Sequence, residues 1–186
     1  NIDLILKFVN IASLSAAFIT KRFGGNLGGM TDQTLPQQLQ GAAMPASMLD
    51  TEVLPARVED YEPRMLDELM AAGEVAWVGV EPLGDRDGRL ALYLTDHLPR
   101  LRTPDIPPTL EGRGADILDY LSRHGASFFS AIHEGTGGGF PGETVDALWD
   151  LAWRGFVTND TLHAVRAFTK APDPRAGRRR GAPFRS

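Results

Sequence analysis

The sequence predicts an α+β fold, mostly helical, made of two tandem units and a disordered basic C-terminal tail. Three observations carry this expectation. Apolar residues recur at helical spacing along much of the chain, while Glu74 to Leu94 reads as a pair of strands. "LDELMAAGEV" at 66–75 and "LWDLAWRGFV" at 148–157 share the pattern Leu-x-acid-Leu-x-x-x-Gly-x-Val, so a helix ended by glycine runs into a strand twice. From Lys170 onward six basic residues stand against one acid, Asp173, in a stretch of proline and glycine with little to bury.

The elements follow in chain order. Residues 1–32 form an uncertain N-terminal segment. Within it Phe8–Thr20 (FVNIASLSAAFIT) is uncharged but thirteen residues long, too short to span a bilayer. Asp3 stands where a signal peptide would be basic, so a short helix is expected instead, with a break at Gly24 to Met30.

The first unit covers 33–98. Thr34–Gln40 reads as a short helix, and Pro45–Val53 as a second that stops before Pro55. Pro63–Ala72 is the clearest, with Met65, Leu66 and Leu69 in a stripe and Gly73 at its end. Glu74–Val80 is β-branched and aromatic around Trp77. Arg89–Leu94 puts Leu90, Leu92 and Leu94 on one face, Ala91 and Tyr93 on the other. Three helices followed by a β-hairpin is the order of a winged helix, the hairpin being the wing.

Residues 99–112 contain Pro99, Pro104, Pro107 and Pro108 and read as a proline-rich linker. The second winged-helix-like unit covers 113–168. Its expected helices are Gly114–Arg123, Ser127–Glu134 and Glu143–Arg154, with a loop at Gly135–Gly139. A last helix carries Leu162, Val165 and Phe168, capped by Thr158, Asn159 or Asp160. Residues 169–186 are the basic linker.

Composition narrows the chemistry. With no cysteine, disulfides and thiolate metal sites are excluded. The net charge of −5 divides into +5 from Lys170 onward and −10 over residues 1–169. An acidic body with a basic tail is not the pattern of a dedicated DNA-binding domain, which is basic on a folded face.

Asp85-Arg86-Asp87-Gly88 invites a calcium reading, but Leu83 and Leu94 would then occupy the first and last loop positions, where oxygen ligands belong. Asp-Gly between two apolar runs is a hairpin turn. His133-Glu134 lacks a second histidine four residues on, since Gly137 is there; His97, His124 and His163 are scattered. Gly135–Gly139 is followed by no Lys-Ser or Lys-Thr pair. The chain shows no catalytic constellation, no metal site and no cofactor site of its own.

Nucleic-acid binding is the remaining specific idea. The two expected third helices carry Asp67 and Glu68 against Arg64, and Glu143, Asp146 and Asp150 against Arg154, so phosphate would repel both. Better cationic candidates are Arg86 and Arg89 on the wing, Arg100, Arg102 and Arg113 around the linker, and Arg178, Arg179 and Arg180 in the tail. Trp77, Trp149 and Trp153 are candidates for stacking on bases, but their amphipathic settings favour a core role.

"MPASMLDTEVLPARVEDYEPRMLDELMAAGEVAWVGVEPLGDRDGRLALYL" at 44–94, "GASFF" at 125–129 and "ALWDLAWRGFVTNDTLHAVRAF" at 147–168 resemble the Lhr-type (large helicase-related) superfamily 2 DNA helicases. The resemblance runs from Leu35 to Ser186 and leaves residues 1–34 outside. It implies a parent enzyme of DEAD/DEAH-box type, with a two-domain ATPase core that uses ATP and Mg to translocate on single-stranded DNA. That core is followed by a long C-terminal region of winged helices and a β-barrel. This chain resembles part of the latter region and has none of the ATP-binding motifs.

The expectation is therefore a cytoplasmic, non-catalytic scaffold acting in DNA repair. Its partners would be the rest of the helicase chain and single-stranded DNA, with no membrane. A free-standing winged-helix regulator of duplex DNA and a protein-interaction module are the alternatives; the acidic third helices count against the former.

Overall fold

A computed structural model describes residues 39–102 and 110–170 in full, and residues 7–10 by their main chain. The elements are β1 (Lys7–Asn10), β2 (Met44–Pro45), α1 (Ala46–Met48), a π-helical turn (Leu49–Val53), α2 (Pro63–Ala71), β3 (Val75–Pro82), β4 (Gly88–Leu94) and α3 (Leu98–Leu101). They continue with α4 (Arg113–His124), β5 (Ser127–Phe128), α5 (Phe129–Gly135), α6 (Pro141–Trp153), β6 (Val157–Asn159) and α7 (His163–Thr169).

The repeated sequence pattern has a common physical basis. At the end of α2, Gly73 takes φ 77°, its N–H donates to the Met70 carbonyl (2.9 Å), and the Glu74 N–H donates to Leu69 (2.9 Å). At the end of α6, Gly155 takes φ 70°, donating to Ala152 (3.0 Å), while the Phe156 N–H donates to Leu151 (2.9 Å). This is one closure used twice. Glycine enters the left-handed region without a Cβ penalty and two orphan carbonyls are satisfied, so each chain leaves its helix directly into a strand.

Two three-stranded antiparallel sheets result, in the orders β2–β4–β3 and β5–β1–β6. In the first, Trp77 lies opposite Leu92 and Val75 opposite Leu94, with a bulge between Gly79 and Glu81. In the second, Phe8 lies opposite both Ser127 and Asn159.

Several expected elements are corrected. Phe8 to Asn10 are in a strand, not the expected N-terminal helix; the remainder of Phe8–Thr20 lies outside the described residues. Pro45–Val53 starts as a strand and then winds through α1 into the π turn, where the Leu54 N–H reaches Leu49 (3.0 Å). Ser127 and Phe128 are extended, and their helix starts at Phe129. The proline-rich linker opens with the helical turn α3, which places Leu98 in the interior. Two-residue strands and single turns have no periodicity of their own. Pairing partners decide them. Of Thr34–Gln40, the described part is helical Leu39 and a bridge from Gln40 to Leu92.

One apolar core runs through both halves. Leu66, Trp77 and Leu92 from the first share it with Ile117, Leu151 and Trp153 from the second. On the other face of the β3–β4 hairpin, Ala76, Val78 and Tyr93 pack together with Leu98 of α3. Except at its tip, the hairpin is thus buried on both sides, which explains why its strands are apolar almost without interruption. No helix among the described residues is long and apolar enough to cross a membrane.

Candidate nucleic-acid interface

The wing tip is built by a glycine and an aspartate. Pro82 and Gly88 close the hairpin ladder, and within the loop the Leu83 N–H donates to the Asp87 carbonyl (2.9 Å). The left-handed residue is Gly84 (φ 66°), whereas the Asp-Gly glycine, Gly88, sits in β4 without positive φ. Gly88 is small for another reason: a Cβ there would overlap the Trp153 indole. The five-residue loop replaces the tight Asp-Gly turn expected from sequence.

Asp87 holds the tip in place. One carboxylate oxygen accepts from the Gly88 N–H (2.8 Å) and the Ser47 N–H (3.2 Å), the other from the Ser47 hydroxyl (2.6 Å). The tip is thereby fastened to the start of α1. No cluster of three potential metal-ligating side chains occurs among the described residues.

The predicted cationic residues are not brought together into one face. Arg86 is exposed at the tip and has no ion-pair partner among the described residues. Arg89 pairs across the hairpin with Glu81 (3.4 Å). Arg113, at the start of α4, donates to the Thr136 carbonyl and hydroxyl (both 3.4 Å) and lies 3.8 Å from Glu143. It ties α4 to the ends of α5 and α6. Arg100 is exposed on α3, while the Arg102 guanidinium lies against Gly155 in the seam between the halves. Arg178, Arg179 and Arg180 lie outside the described residues.

Both third helices are used internally. Gly79 of β3 has no room for a Cβ, because the Ala152 carbonyl and the Trp153 Cα lie directly on it. The last turn of α6 therefore rests on the main chain of β3. The same helix buries Thr144, Leu148, Leu151, Ala152 and Trp153, and the face it leaves open carries the acidic residues Glu143, Asp146 and Asp150. The tryptophans are also internal. Trp77 donates through Nε1 to Asn159 Oδ1 (2.8 Å) and packs on Trp153, which stacks on Trp149. Trp77 and Trp153 are buried, so base stacking on either would require opening the core.

Sequence reasoning missed one cluster. Arg166 of α7 donates from Nε to Asp50 (2.5 Å), from one terminal nitrogen to Asp67 (2.5 Å), and from the other to the Pro63 carbonyl (3.2 Å). Asp67 also accepts from the Leu162 N–H (3.1 Å), and Asp50 accepts from the Tyr61 hydroxyl (2.5 Å). The acidic residue that should have faced DNA from α2 instead receives the N-terminal end of α7. Burial, then the hydrogen bond and negative charge of Asp50, push the Tyr61 hydroxyl well above its ordinary value of 10.0. For Arg166 burial works against the charge, but the bonds to Asp50 and Asp67 outweigh it and its pKa is raised. Residues separated by a hundred positions carry no shared local pattern. Nothing in the sequence marks them as partners.

An α+β arrangement of short helices around a small antiparallel sheet with a β-hairpin is that of a winged-helix protein. Residues 22–95 match the winged-helix domain of the large helicase-related protein. The chain is 42% identical over 151 residues, 81% of its length, to the Lhr helicase/probable uracil glycosylase of Mycolicibacterium smegmatis. It is 37% identical over 143 residues, 73% of its length, to the Lhr helicase/uracil glycosylase of Escherichia coli. A methionine–tRNA ligase of Albidiferax ferrireducens is 34% identical over 74 residues, covering a third of this chain and 11% of the ligase.

The chain belongs to the large helicase-related family. It spans about a tenth of the length of the two Lhr relatives, 10% and 9% respectively. The family match opens at residue 22, so residues 22–34, expected to stand outside the resemblance, fall within it.

Proposed function

We propose that the chain is a non-catalytic scaffold of an Lhr-type ATP-dependent DNA helicase acting in DNA repair in the cytoplasm. It is built of two tandem winged-helix units followed by the basic tail. The observation that carries this reading is the seating of α6 on Gly79: a helix that elsewhere would read a groove is spent on joining two units. Binding of ATP and Mg, and the glycosylase activity in the relatives' names, belong in this proposal to the remainder of the parent protein. The rest of that chain is then the principal partner.

Single-stranded DNA is a secondary, weak partner, reached through Arg86 at the wing tip and Arg178, Arg179 and Arg180 in the tail. Arg89 and Arg113 contribute only by exchanging Glu81, or Thr136 and Glu143, for a phosphate. The chain alone is expected to show no DNA-stimulated ATP hydrolysis; turnover would overturn the scaffold reading. Its binding to an oligodeoxythymidine should weaken steeply with salt and fall further in an R86A/R178A/R179A/R180A variant. Binding insensitive to both would replace phosphate contacts with stacking.

A further inference from the structure

We infer that the gap between β5 and β6 is a strand-acceptor site, filled in cis by Lys7–Asn10, and that the second half depends on this donated strand to complete its sheet. The inference rests on reading that half as a winged-helix unit.

The two sheets make the case. In the first, the central strand β4 lies between β2 and β3 and follows β3 through the hairpin. In the second, the same central place lies between β5 and β6, and both edges again pair antiparallel with its occupant. Here no hairpin supplies the strand. After Asn159 the chain enters α7, and Arg166 of that helix is held by Asp50 and Asp67 of the first half. The central strand comes instead from the far N-terminal side, across the whole first half.

Burial makes an occupant necessary. Val157, Thr158, Asn159 and Ser127 are all buried, and three of them are polar. Withdrawing β1 would leave main-chain donors and acceptors of β5 and β6 without partners in a largely dry setting, where such groups are rarely tolerated. With β1 between them in the strand order, β5 and β6 do not pair with each other. Recognition of this kind runs through main-chain pairing, so it tolerates varied donor sequences and can be offered in trans by an extended peptide.

Hydrogen exchange on the full chain tests this. In an F8P/V9P variant, which removes two main-chain donors from β1, protection of Val157–Asn159 and Ser127–Phe128 should fall at least about tenfold, the worth of one lost backbone bond. Protection of the β3–β4 amides should persist as the internal control. Adding a peptide of residues 5–12 should restore protection to β5 and β6. If β3–β4 protection is lost as well, recovery with the peptide supports the inference and no recovery overturns it. Unchanged protection at Val157–Asn159 overturns it. So does wild-type protection that rises with protein concentration as a dimer forms, which would make a second copy the donor. None of these readouts involves DNA or ATP, so the helicase reading can fail while this inference stands, and the reverse.

Discussion

Gly79, Gly84 and Gly88 lie within ten residues of one another, and each is glycine for a different physical reason. Gly84 needs the left-handed region and has open space around it. Gly88 leaves room for the Trp153 indole, which is buried and packed against Trp77 and Trp149. Gly79 faces the main chain of α6, which can yield only by moving the helix. Gly79→Ala should therefore destabilise more than Gly84→Ala, by about 3 kcal/mol, the upper end of overpacking costs. Gly84→Ala should cost only about 1 kcal/mol of stability through backbone strain. Urea midpoints of the two variants give the comparison, and the opposite ranking would mean that α6 does not rest on β3.

Tyr61 makes a second residue-scale prediction. Its hydroxyl is pushed above 10.0, first by burial and then by Asp50, so the folded chain favours the protonated phenol. That contribution is complete below pH 10 and is lost as the pH rises through the folded value. Wild type should lose stability progressively above pH 10, and Tyr61→Phe should flatten that part of the profile in pH-dependent urea titrations.

At the scale of elements, α7 acts as a strap. It is only seven residues long and too short to be stable alone, so its position depends on what it docks against. Arg166 supplies the docking by bridging Asp50, Asp67 and the Pro63 carbonyl with one planar fork. Arg166→Met leaves two partly buried carboxylates without their cation. A loss of about 2 kcal/mol is expected, below the figure for fully buried pairs because solvent reaches these side chains. Arg166→Lys should recover only part of it, since an ammonium cannot span both carboxylates in the same geometry. Arg123→Ala, which breaks an exposed pair with Asp119 on α4, should change stability by no more than about 0.5 kcal/mol. Thermal melts of the three variants test the ranking.

For the whole molecule, the decisive feature is that one core crosses the seam. Trp77 comes from the first half, Trp149 and Trp153 from the second, and they are in contact. Unfolding should consequently be a single cooperative transition, with tryptophan fluorescence and far-ultraviolet circular dichroism coinciding along a urea titration. Fluorescence leading the helical signal would show halves that separate before they melt, and would contradict a shared core.

Much of this molecule was legible locally. The stripe Met65, Leu66, Leu69 with Pro63 before it and Gly73 after it specifies α2 from short-range chemistry alone, and the glycine pattern at 73 and 155 announces the same closure twice. The acidic character of the third helices is likewise legible locally, because the sign of a charge needs no tertiary context. Other features had no local signature. β1, β2 and β5 span two to four residues and exist through their pairing. Arg89 and Arg113 looked available for phosphate until Glu81, Thr136 and Glu143 came within reach. Asp50, Asp67 and Arg166 became one cluster only when α7 crossed to the first half. Helix stripes, caps and charge signs are properties of neighbouring residues, and sequence carries them. Strand order, the seating of α6 on Gly79 and the closing of ion pairs are properties of surfaces that meet only after the chain has folded.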